Sequence, residues 1–203
     1  MRIVPATVLK FWFGGHSGDA NEINECYRQW FGVDADFDAE IRARFGAAVA
    51  TAGRGELHRW KTTAKGLLAV ILLLDQFPRN IFRGTANAFK FDATAQTYCR
   101  DGIERGLDRR LNTIERTFFY LPLEHAEDAK MQAMSIKCYR EMHDTTTGEL
   151  AEIVMKNLNF AQAHFDLIER FSRFPHRNAA LGRVSTADEL AFLNSQANNF
   201  GQR

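Results

Sequence analysis

The sequence predicts an all-α protein, and three observations support that fold class. Apolar residues recur three or four positions apart along most of the chain, as in Phe37, Ile41, Phe45 and Val49, which is the spacing of one helix face. No stretch alternates apolar with polar residues, and no Asn-Gly pair marks a tight hairpin, so signals for strands are weak. Glycines, prolines and capping sequences divide the chain into roughly eight to ten helical segments with short turns.

The first quarter of the chain is predicted to form three helices and one short helical segment. The apolar spacing places them at about 5–13, at about 22–31, from Asp36 or Asp38 to the glycines at 53 and 55, and around Leu57 and Trp60. An aspartate suits the start of the third helix because its carboxylate accepts hydrogen bonds from the unpaired backbone N–H groups of a first turn.

A central helix is predicted at about 64–76, and because it is apolar on every face we expect it to be buried on all sides. Its apolar run is far shorter than the ~20 residues that span a bilayer. Pro78 is expected to end or turn this helix, since proline cannot donate a backbone hydrogen bond. Thr85 can then cap a helix of about 86–105, which Gly106 ends.

Two capping boxes predict helix starts in the second half of the chain. Asn112 and Thr186 are each followed three residues later by a glutamate, which is the arrangement that satisfies backbone donors reciprocally. The first of these helices is expected to stop at Leu121-Pro122. Further helices are predicted at about 124–143, at about 149–173 and after Thr186, and the polar end from Asn198 to Arg203 is expected to fray.

Length and composition favour one domain spanning 1–203, with 45% hydrophobic and 25% charged residues. A net charge of +1 gives no support for a nucleic-acid or membrane-surface partner. The three cysteines show neither CxxC pairing nor zinc spacing, which suits a reducing compartment. The first residues show no signal peptide, so we expect a cytoplasmic protein.

Two similar polar motifs are the first candidate for a functional site. The first corner, residues 75–85, and the second corner, residues 173–186, each contain Phe-Pro, then Arg-Asn, then an arginine beside a glycine. Such residues can anchor the carbonyls of helix ends. Alternatively, the planar guanidinium groups can bind a phosphate or carboxylate if the corners meet in space. The candidate ligand-binding residues are Gln76, Arg79, Asn80, Arg83, Arg177, Asn178 and Arg183.

A second candidate follows Pro122, where acids stand at the start of the predicted helix of about 124–143. The positive end of the helix dipole can stabilise negatively charged side chains at this position, and they then need no other role there. Alternatively, Glu124 and Asp128, four residues apart, share a helix face with Gln132 and provide an acid and a base toward a cleft. The candidate catalytic residues are Glu124, His125 and His176.

Motifs for metals and cofactors are absent from the sequence. There is no Glu-x-x-His, HExxH, phosphate loop, GxGxxG or GxSxG pattern. A lone histidine on a helix, such as His164, is more often a packed residue than a ligand. We therefore predict neither a metal nor a cofactor.

The motifs together resemble the mainly bacterial family called domain of unknown function 924. The resemblance rests on segments spread over nearly the whole chain: 8–14, 30–31, 37–38, 74–85, 115–116, 120–125, 174–178 and 181–186. It implies a fold similar to tetratricopeptide proteins, a right-handed array of stacked antiparallel helical hairpins. It implies no catalytic residues, because the family has no settled activity.

Three hypotheses for function remain open. The first is a binding module for a small anionic ligand, or for a peptide carboxylate, in a cleft lined by both corners. The second is a hydrolase-type or lyase-type enzyme acting on an anionic substrate. The third is a protein-interaction scaffold in which the motifs are purely structural. The expected partner is thus a small anionic ligand or a protein, and whether the protein is an enzyme is left open.

Overall fold

Helices account for all of the regular secondary structure in residues 3–14 and 20–195, the ranges that the computed structural model describes. The α-helices are α1 (Pro5–Phe13), α2 (Ala20–Phe31), α3 (Ala35–Gly53), α4 (Ala64–Leu74), α5 (Gln76–Ile81), α6 (Asp92–Glu104), α7 (Thr113–Glu124), α8 (Ala129–Asp144), α9 (Glu149–Phe171) and α10 (Ala187–Asn194). Short 3-10 segments occur at His58–Thr62, Ala86–Phe89, Asp108–Arg110 and Pro175–Arg177. The all-α prediction is confirmed.

Helix α4 lies at the centre of the core, as its uniformly apolar sequence predicts. Every residue from Gly66 to Leu74 is buried, and α1, α3, α6 and α7 all pack against this helix. Gly102 on α6 allows the close approach, because a Cβ atom there would lie 2.4 Å from Phe119 and 2.6 Å from Leu67. Burial on all sides fixes the carboxyl end of α4, from which the first corner begins. No helix in the described ranges is long and apolar enough to span a membrane.

An aromatic cluster joins α1 and α2 to this core. Trp30 of α2 donates a hydrogen bond from Nε1 to the backbone oxygen of Trp12, 2.8 Å away. The rings of Trp12 and Trp30 each pack edge-on against Phe118 of α7, at 5.7 and 4.8 Å between centroids. Edge-to-face pairs add to the free energy of area burial, so α2 is held firmly over one end of α7.

The central helix ends two residues earlier than predicted. Helix α4 stops at Leu74, Asp75 interrupts it, and α5 continues from Gln76. Pro78 explains the break, since it has no N–H to donate to the carbonyl of Leu74 four residues earlier. Within α5, Pro78 occupies the first turn, where no intrahelical donor is needed. The interruption leaves the side chain of Asp75 at a bend.

The predicted stop at Leu121-Pro122 and the predicted helix of about 124–143 are wrong. Helix α7 continues through Pro122 to Glu124, and His125 donates its backbone N–H to Leu121 at 2.9 Å. A proline removes one internal hydrogen bond, and burial of the whole segment from Thr117 to Glu124 compensates. Asp128 instead caps α8, so it does not share a helix face with Glu124.

Smaller differences concern helix starts. Asp34, rather than Asp36 or Asp38, caps α3 and accepts from two backbone N–H groups at 2.9 and 3.0 Å. The segment predicted as a helix of about 86–105 is a 3-10 turn followed by α6, and the hydroxyl of Thr85 donates to a carbonyl three residues back instead of capping. Both predicted capping boxes are present. The predicted fraying end, 198–203, lies outside the described residues.

Glu127, in the loop between α7 and α8, brings the second corner toward the first. Its carboxylate accepts from Arg183 at 2.7 and 2.9 Å and from the backbone N–H of Phe174 at 2.8 Å. Because α7 packs on α4, this loop lies near the bend at Asp75. The two corners therefore face a common space.

Candidate functional site

A cavity of about 350 Å³ lies between the two corners, the carboxyl end of α7, and the facing sides of α2 and α9. One part of its wall is aromatic, formed by Tyr27, Trp30, Phe31, Phe89 and Phe160. The other part is polar, formed by Gln76, Arg79, Asn80, Arg83, Glu124, His125, Asn157, His164, His176 and Arg177. The size and the mixed lining are those of a small-molecule site.

Asp75 lies beneath the polar wall and is fully buried. It accepts a hydrogen bond from Gln76 at 2.6 Å, lies 3.2 Å from the guanidinium of Arg79, and has both carboxylate oxygens about 3 Å from Nδ1 of His125 (2.9 and 3.0 Å). Burial alone would raise its pKa, but the positive charge of Arg79 and the contact with His125 hold the pKa well below its ordinary value. Asp75 is therefore ionised.

His125 uses Nδ1 for Asp75, and this contact determines the state of its ring. Because an ionised carboxylate only accepts, Nδ1 carries the hydrogen and Nε2 carries the lone pair when the ring is neutral. Burial and the charge of Arg79 lower the pKa of His125, although Asp75 opposes that change. No hydrogen bond from any described residue reaches Nε2 of His125.

Arg79 is engaged in ion pairs and hydrogen bonds with neighbouring acids. Its two terminal nitrogens bind the two carboxylate oxygens of Asp92, each at 2.9 Å, and Nη1 also donates to the backbone oxygen of Asp75 at 2.7 Å. A bidentate pair of this kind fixes both side chains. Asp92 starts α6, so Arg79 ties the first corner to that helix.

Arg177 is buried with far fewer partners. The side chain is 6% exposed and lies between the rings of Phe89 and Phe174, 4.8 and 4.4 Å from their centroids. Its Nη1 lies 3.5 Å from Asp92, which already binds Arg79, and its buried Nε has no hydrogen-bond partner among the described residues. Burial and the charge of Arg79 lower the pKa of Arg177 to about 10. Arg177 thus has few hydrogen-bond acceptors, although the negative charges of Asp92, Glu127 and Asp75 partly offset the decrease of its pKa.

Glu124 is a buried acid at the end of α7, 4% exposed. Its carboxyl lies 3.2 Å from Nδ1 of His164, whose N–H donates to the backbone oxygen of Phe160 at 2.8 Å. Burial, and to a lesser degree the charge of Asp75, raises the pKa of Glu124 to about 8, while burial lowers the pKa of His164 to about 3. Both groups are therefore neutral at pH 7, and their contact is not an ion pair.

Most of the residues predicted for the site line the cavity, although several already have protein partners. Asn80 and Arg83 both bind Asp38 of α3, at 2.7 Å for Asn80 and at 2.8 and 3.0 Å for Arg83. His176 also lines the cavity, and burial and the charge of Arg177 lower its pKa to about 2. Their roles in ligand binding stay predictions.

Asn178 and Arg183 are not part of the cavity wall. Asn178 donates to Ser185 at 3.0 Å, and Arg183 donates to Asn178 at 2.9 Å while it pairs with Glu127. These bonds hold the second corner in shape. Gln132, which the sequence placed on a face with Glu124, instead donates to the backbone oxygen of Glu124 at the end of α7, at 2.6 Å, and to that of Ala126 in the loop before α8, at 2.7 Å.

Several residues of the site were not predicted, among them Asp75, Phe89, Asp92 and His164. Asp75 belongs to the first corner, but its contact with His125 joins residues 50 positions apart and leaves no local signal. The spacing of Asn157, Phe160 and His164 along α9 is that of a helix face. That pattern indicates that His164 points the same way as two other lining residues.

Comparisons with known proteins point to one family. Residues 8–197 match the family model described as bacterial protein of unknown function (DUF924). A solved structure of a protein of unknown function from Agrobacterium tumefaciens is 37% identical, with a TM-score of 0.80, and the match covers 94% of this chain and 97% of that one. No curated protein matches the chain.

Proposed function

We propose that this chain, which belongs to the bacterial DUF924 family of unknown function, binds a small organic anion in the cavity between its two corners. The observation that carries the proposal is the state of Arg177, a buried cation in the cavity wall whose Nε lacks a hydrogen-bond partner among the described residues. Burying a cation with so few acceptors is unfavourable, and an anion bound beside the guanidinium would offset its positive charge.

The charges around Arg177 favour a ligand with one negative charge. Three arginines line the cavity, and two of them form bidentate pairs, Arg79 with Asp92 and Arg83 with Asp38. Arg177 shares Asp92 with Arg79 only through the 3.5 Å contact. Arg177 has few acceptors, but the ionised carboxylates of Asp75 and Asp92 also act on its charge, so one carboxylate suits the site better than a doubly charged phosphate. We therefore place a carboxylate at Arg177.

The aromatic wall supports an apolar body for the same ligand. The rings of Tyr27, Trp30, Phe31 and Phe160 line the same cavity as the arginines. Tyr27 and Asn157 hydrogen-bond each other at 2.8–2.9 Å, so polar atoms at this wall are partly satisfied already. A flat or branched apolar group of modest size would bury its surface there.

A tetratricopeptide-like array and a cytoplasmic location remain part of the proposal. Support for the array comes from α8 and α9, which pack extensively on one another across a short turn. Support for a reducing compartment comes from Cys99 and Cys138, which are buried and form no disulfide within the described residues.

Thermal melting with matched ligands tests the proposed function. Phenylacetate should raise the melting temperature, and its neutral analogue phenylacetamide should not, because only the carboxylate meets Arg177. Ligand at a hundred times its Kd stabilises a folded protein by about 2.7 kcal/mol, which is readily measured. Phenyl phosphate, of similar shape, should bind more weakly than phenylacetate.

Charge-removing variants locate the effect. Arg177→Gln should abolish the response to phenylacetate. Arg170→Gln removes an equivalent charge from an exposed pair with Asp188 and should leave the response intact. Equal responses to the acid and the amide, or a full response in Arg177→Gln, would refute the proposal.

A further inference from the structure

We propose that the cavity is an active site for acid–base chemistry, in which Nε2 of His125 is the general base and Asp75 is its positioning residue. The inference rests on the proposed function, because the substrate is the organic anion held at Arg177. It goes further in assigning a proton-transfer reaction to the site, and it concerns Asp75, which the sequence alone did not suggest.

The contacts of Asp75 hold its carboxylate in one orientation. It is fully buried, Gln76 donates to one of its oxygens at 2.6 Å, and Arg79 lies 3.2 Å from the other. The carboxylate therefore presents a fixed acceptor to Nδ1 of His125. A carboxylate in this position holds one tautomer of the ring and stabilises the imidazolium that forms when the ring accepts a proton.

Nε2 of His125 faces the cavity. Nδ1 and Nε2 lie on different edges of the imidazole ring, and Nδ1 faces the buried carboxylate of Asp75. His125 lines the cavity, and no hydrogen bond from the described residues engages its Nε2. The lone pair on Nε2 is thus available to a molecule bound in the cavity.

Charged and titratable groups surround the imidazole ring of His125. Arg79 and Arg177 disfavour a proton on His125, and Asp75 favours one. The neighbouring His164 ring, 6.3 Å away between centroids, and the carboxyl of Glu124 are both uncharged at pH 7. The ring is consequently neutral in the resting state, which a base requires.

The wall of the cavity also contains a protonated carboxylic acid, that of Glu124. Glu124 lines the same wall, and because it is protonated at neutral pH it can give up a proton. A neutral histidine and a neutral carboxylic acid in one cavity is the arrangement in which one group accepts a proton and the other donates one. Both groups come from the end of α7, beside the bend that carries Asp75.

The proposed reaction includes two proton transfers, one to His125 and one from Glu124. The lone pair of Nε2 forms a bond to the proton of a water molecule, or of a substrate hydroxyl, as the O–H bond breaks and leaves its electron pair on oxygen. That oxygen forms a bond to an electrophilic carbon of the substrate, and the bond from this carbon to the departing oxygen breaks with its electron pair going to the departing oxygen. Glu124 passes its proton to the departing oxygen and becomes a carboxylate. His125 then holds one additional proton and Glu124 lacks one, and transfer through solvent restores the resting state.

Alkylation by bromoacetate tests the base without knowledge of the substrate. Its carboxylate suits Arg177 and its reactive carbon reports on Nε2. The lone pair of Nε2 attacks that carbon, a nitrogen–carbon bond forms, and the carbon–bromine bond breaks with loss of bromide. Peptide mass spectrometry identifies the carboxymethylated residue and separates it from any modified cysteine, and chromatography of the acid hydrolysate against carboxymethylhistidine standards distinguishes Nε2 from Nδ1. The exposed His58 serves as an internal reference.

The expected result is that His125 reacts at Nε2 at least ten times faster than His58. The rate should change little around pH 7, because the pKa of His125 is lowered and the ring is already neutral there. Asp75→Asn should lower the rate at least tenfold, and Asp75→Glu should restore part of it. Reaction of His125 no faster than His58, or reaction at Nδ1, would overturn the assignment.

A second reagent separates this inference from the proposed function. Bromoacetamide has the same reactive carbon and no charge. Arg177→Gln should slow bromoacetate and leave bromoacetamide unchanged. If both reagents modify His125 equally fast in the wild type, the anion site at Arg177 is wrong and the base stands. If neither modifies it, the base is wrong.

A measurement on the unmodified protein guards against misfolding of the Asp75 variants. In the ¹⁵N spectrum of histidine-labelled wild-type protein at pH 7, Nδ1 of His125 should be protonated and Nε2 unprotonated. The opposite tautomer, or a charged ring, would contradict the role given to Asp75.

Discussion

Replacing Glu124 with glutamine should stabilise the protein, by an amount that grows with pH. The wild-type carboxyl has an ordinary pKa of 4.5 in the unfolded chain and a pKa of about 8 in the fold, mainly because it is buried. The folded state therefore retains a proton that the unfolded chain releases. Its contribution to stability is fully present below pH 4.5 and is lost as the pH rises toward 8.

The magnitude follows from the difference between the two pKa values. Each pH unit between 4.5 and about 8 corresponds to about 1.4 kcal/mol, so the full penalty is about 5 kcal/mol above pH 8 and about 3 kcal/mol at pH 7. Glutamine has nearly the same shape and no charge. Glu124→Gln should therefore match the wild type near pH 4.5, apart from changes in hydrogen bonding, and exceed its stability by a few kcal/mol at pH 8.

Equilibrium unfolding in urea at pH 5, 6, 7 and 8 measures this difference. Because every other titrating group is common to both proteins, the difference between variant and wild type isolates Glu124. Glu104→Gln, the same change at an exposed position of α6, controls for the loss of one carboxylate. A difference that does not change with pH, or a wild type that gains on the variant at pH 8, would show that Glu124 is ionised in the fold and would refute the reasoning.

Three further predictions concern groups around the cavity and a helix end. Burial lowers the pKa of His164 to about 3. Below about pH 6.5 the unfolded chain binds a proton that the buried ring does not, so the fold loses about 1.4 kcal/mol of stability per pH unit. His164→Gln should remove this slope from the acid side of a stability–pH curve. Asp92→Asn should cost about 3–5 kcal/mol in urea unfolding because it leaves buried arginine charge unpaired, whereas Asp188→Asn at an exposed pair should cost at most about 1 kcal/mol. Asn112→Ala should cost about 1 kcal/mol in thermal melts by removing the cap of α7, and no change in melting would contradict that role.

Local signals were sufficient where a helix depends on its own sequence. The boxes at Asn112 and Thr186 start helices at those residues because the capping bonds join positions only three apart. The burial of α4 follows from its composition, since a helix without a polar face cannot lie at the surface. Such features need no knowledge of the rest of the fold.

Predictions failed where distant residues outweigh a local preference. Pro122 reads as a helix stop, yet packing of the aromatic residues at 118–120 holds α7 together beyond it. Thr85 has a good capping side chain, but the chain after it forms a 3-10 turn first. In both places the residue has the local preference that was assumed, but its structural surroundings determine where the helix begins or ends.

The site could be located from the sequence but not assembled. Repetition of the Phe-Pro-Arg-Asn pattern identified both corners, and the corners do line one cavity. The bonds that decide each role join residues far apart: Arg79 with Asp92 across 13 positions, and Asp75 with His125 across 50. As a result, the seven candidate ligand-binding side chains divide into Arg177, whose Nε has no hydrogen-bond partner among the described residues, and six that form hydrogen bonds to neighbouring residues.

The polar groups of this cavity work against stability, and that is itself an argument for function. Buried ion pairs such as Arg79–Asp92 are often no more stable than apolar residues of similar volume, and Glu124 destabilises the fold by about 3 kcal/mol at pH 7. A structural network would be expected to satisfy its members, as Asn178 and Arg183 are satisfied at the second corner. Arg177 instead has a buried Nε without a hydrogen-bond partner among the described residues, and both Arg177 and His125 line a cavity whose wall is partly aromatic. Groups that a fold retains at such a cost, and directs toward a cavity, are best explained by the molecule that fills it.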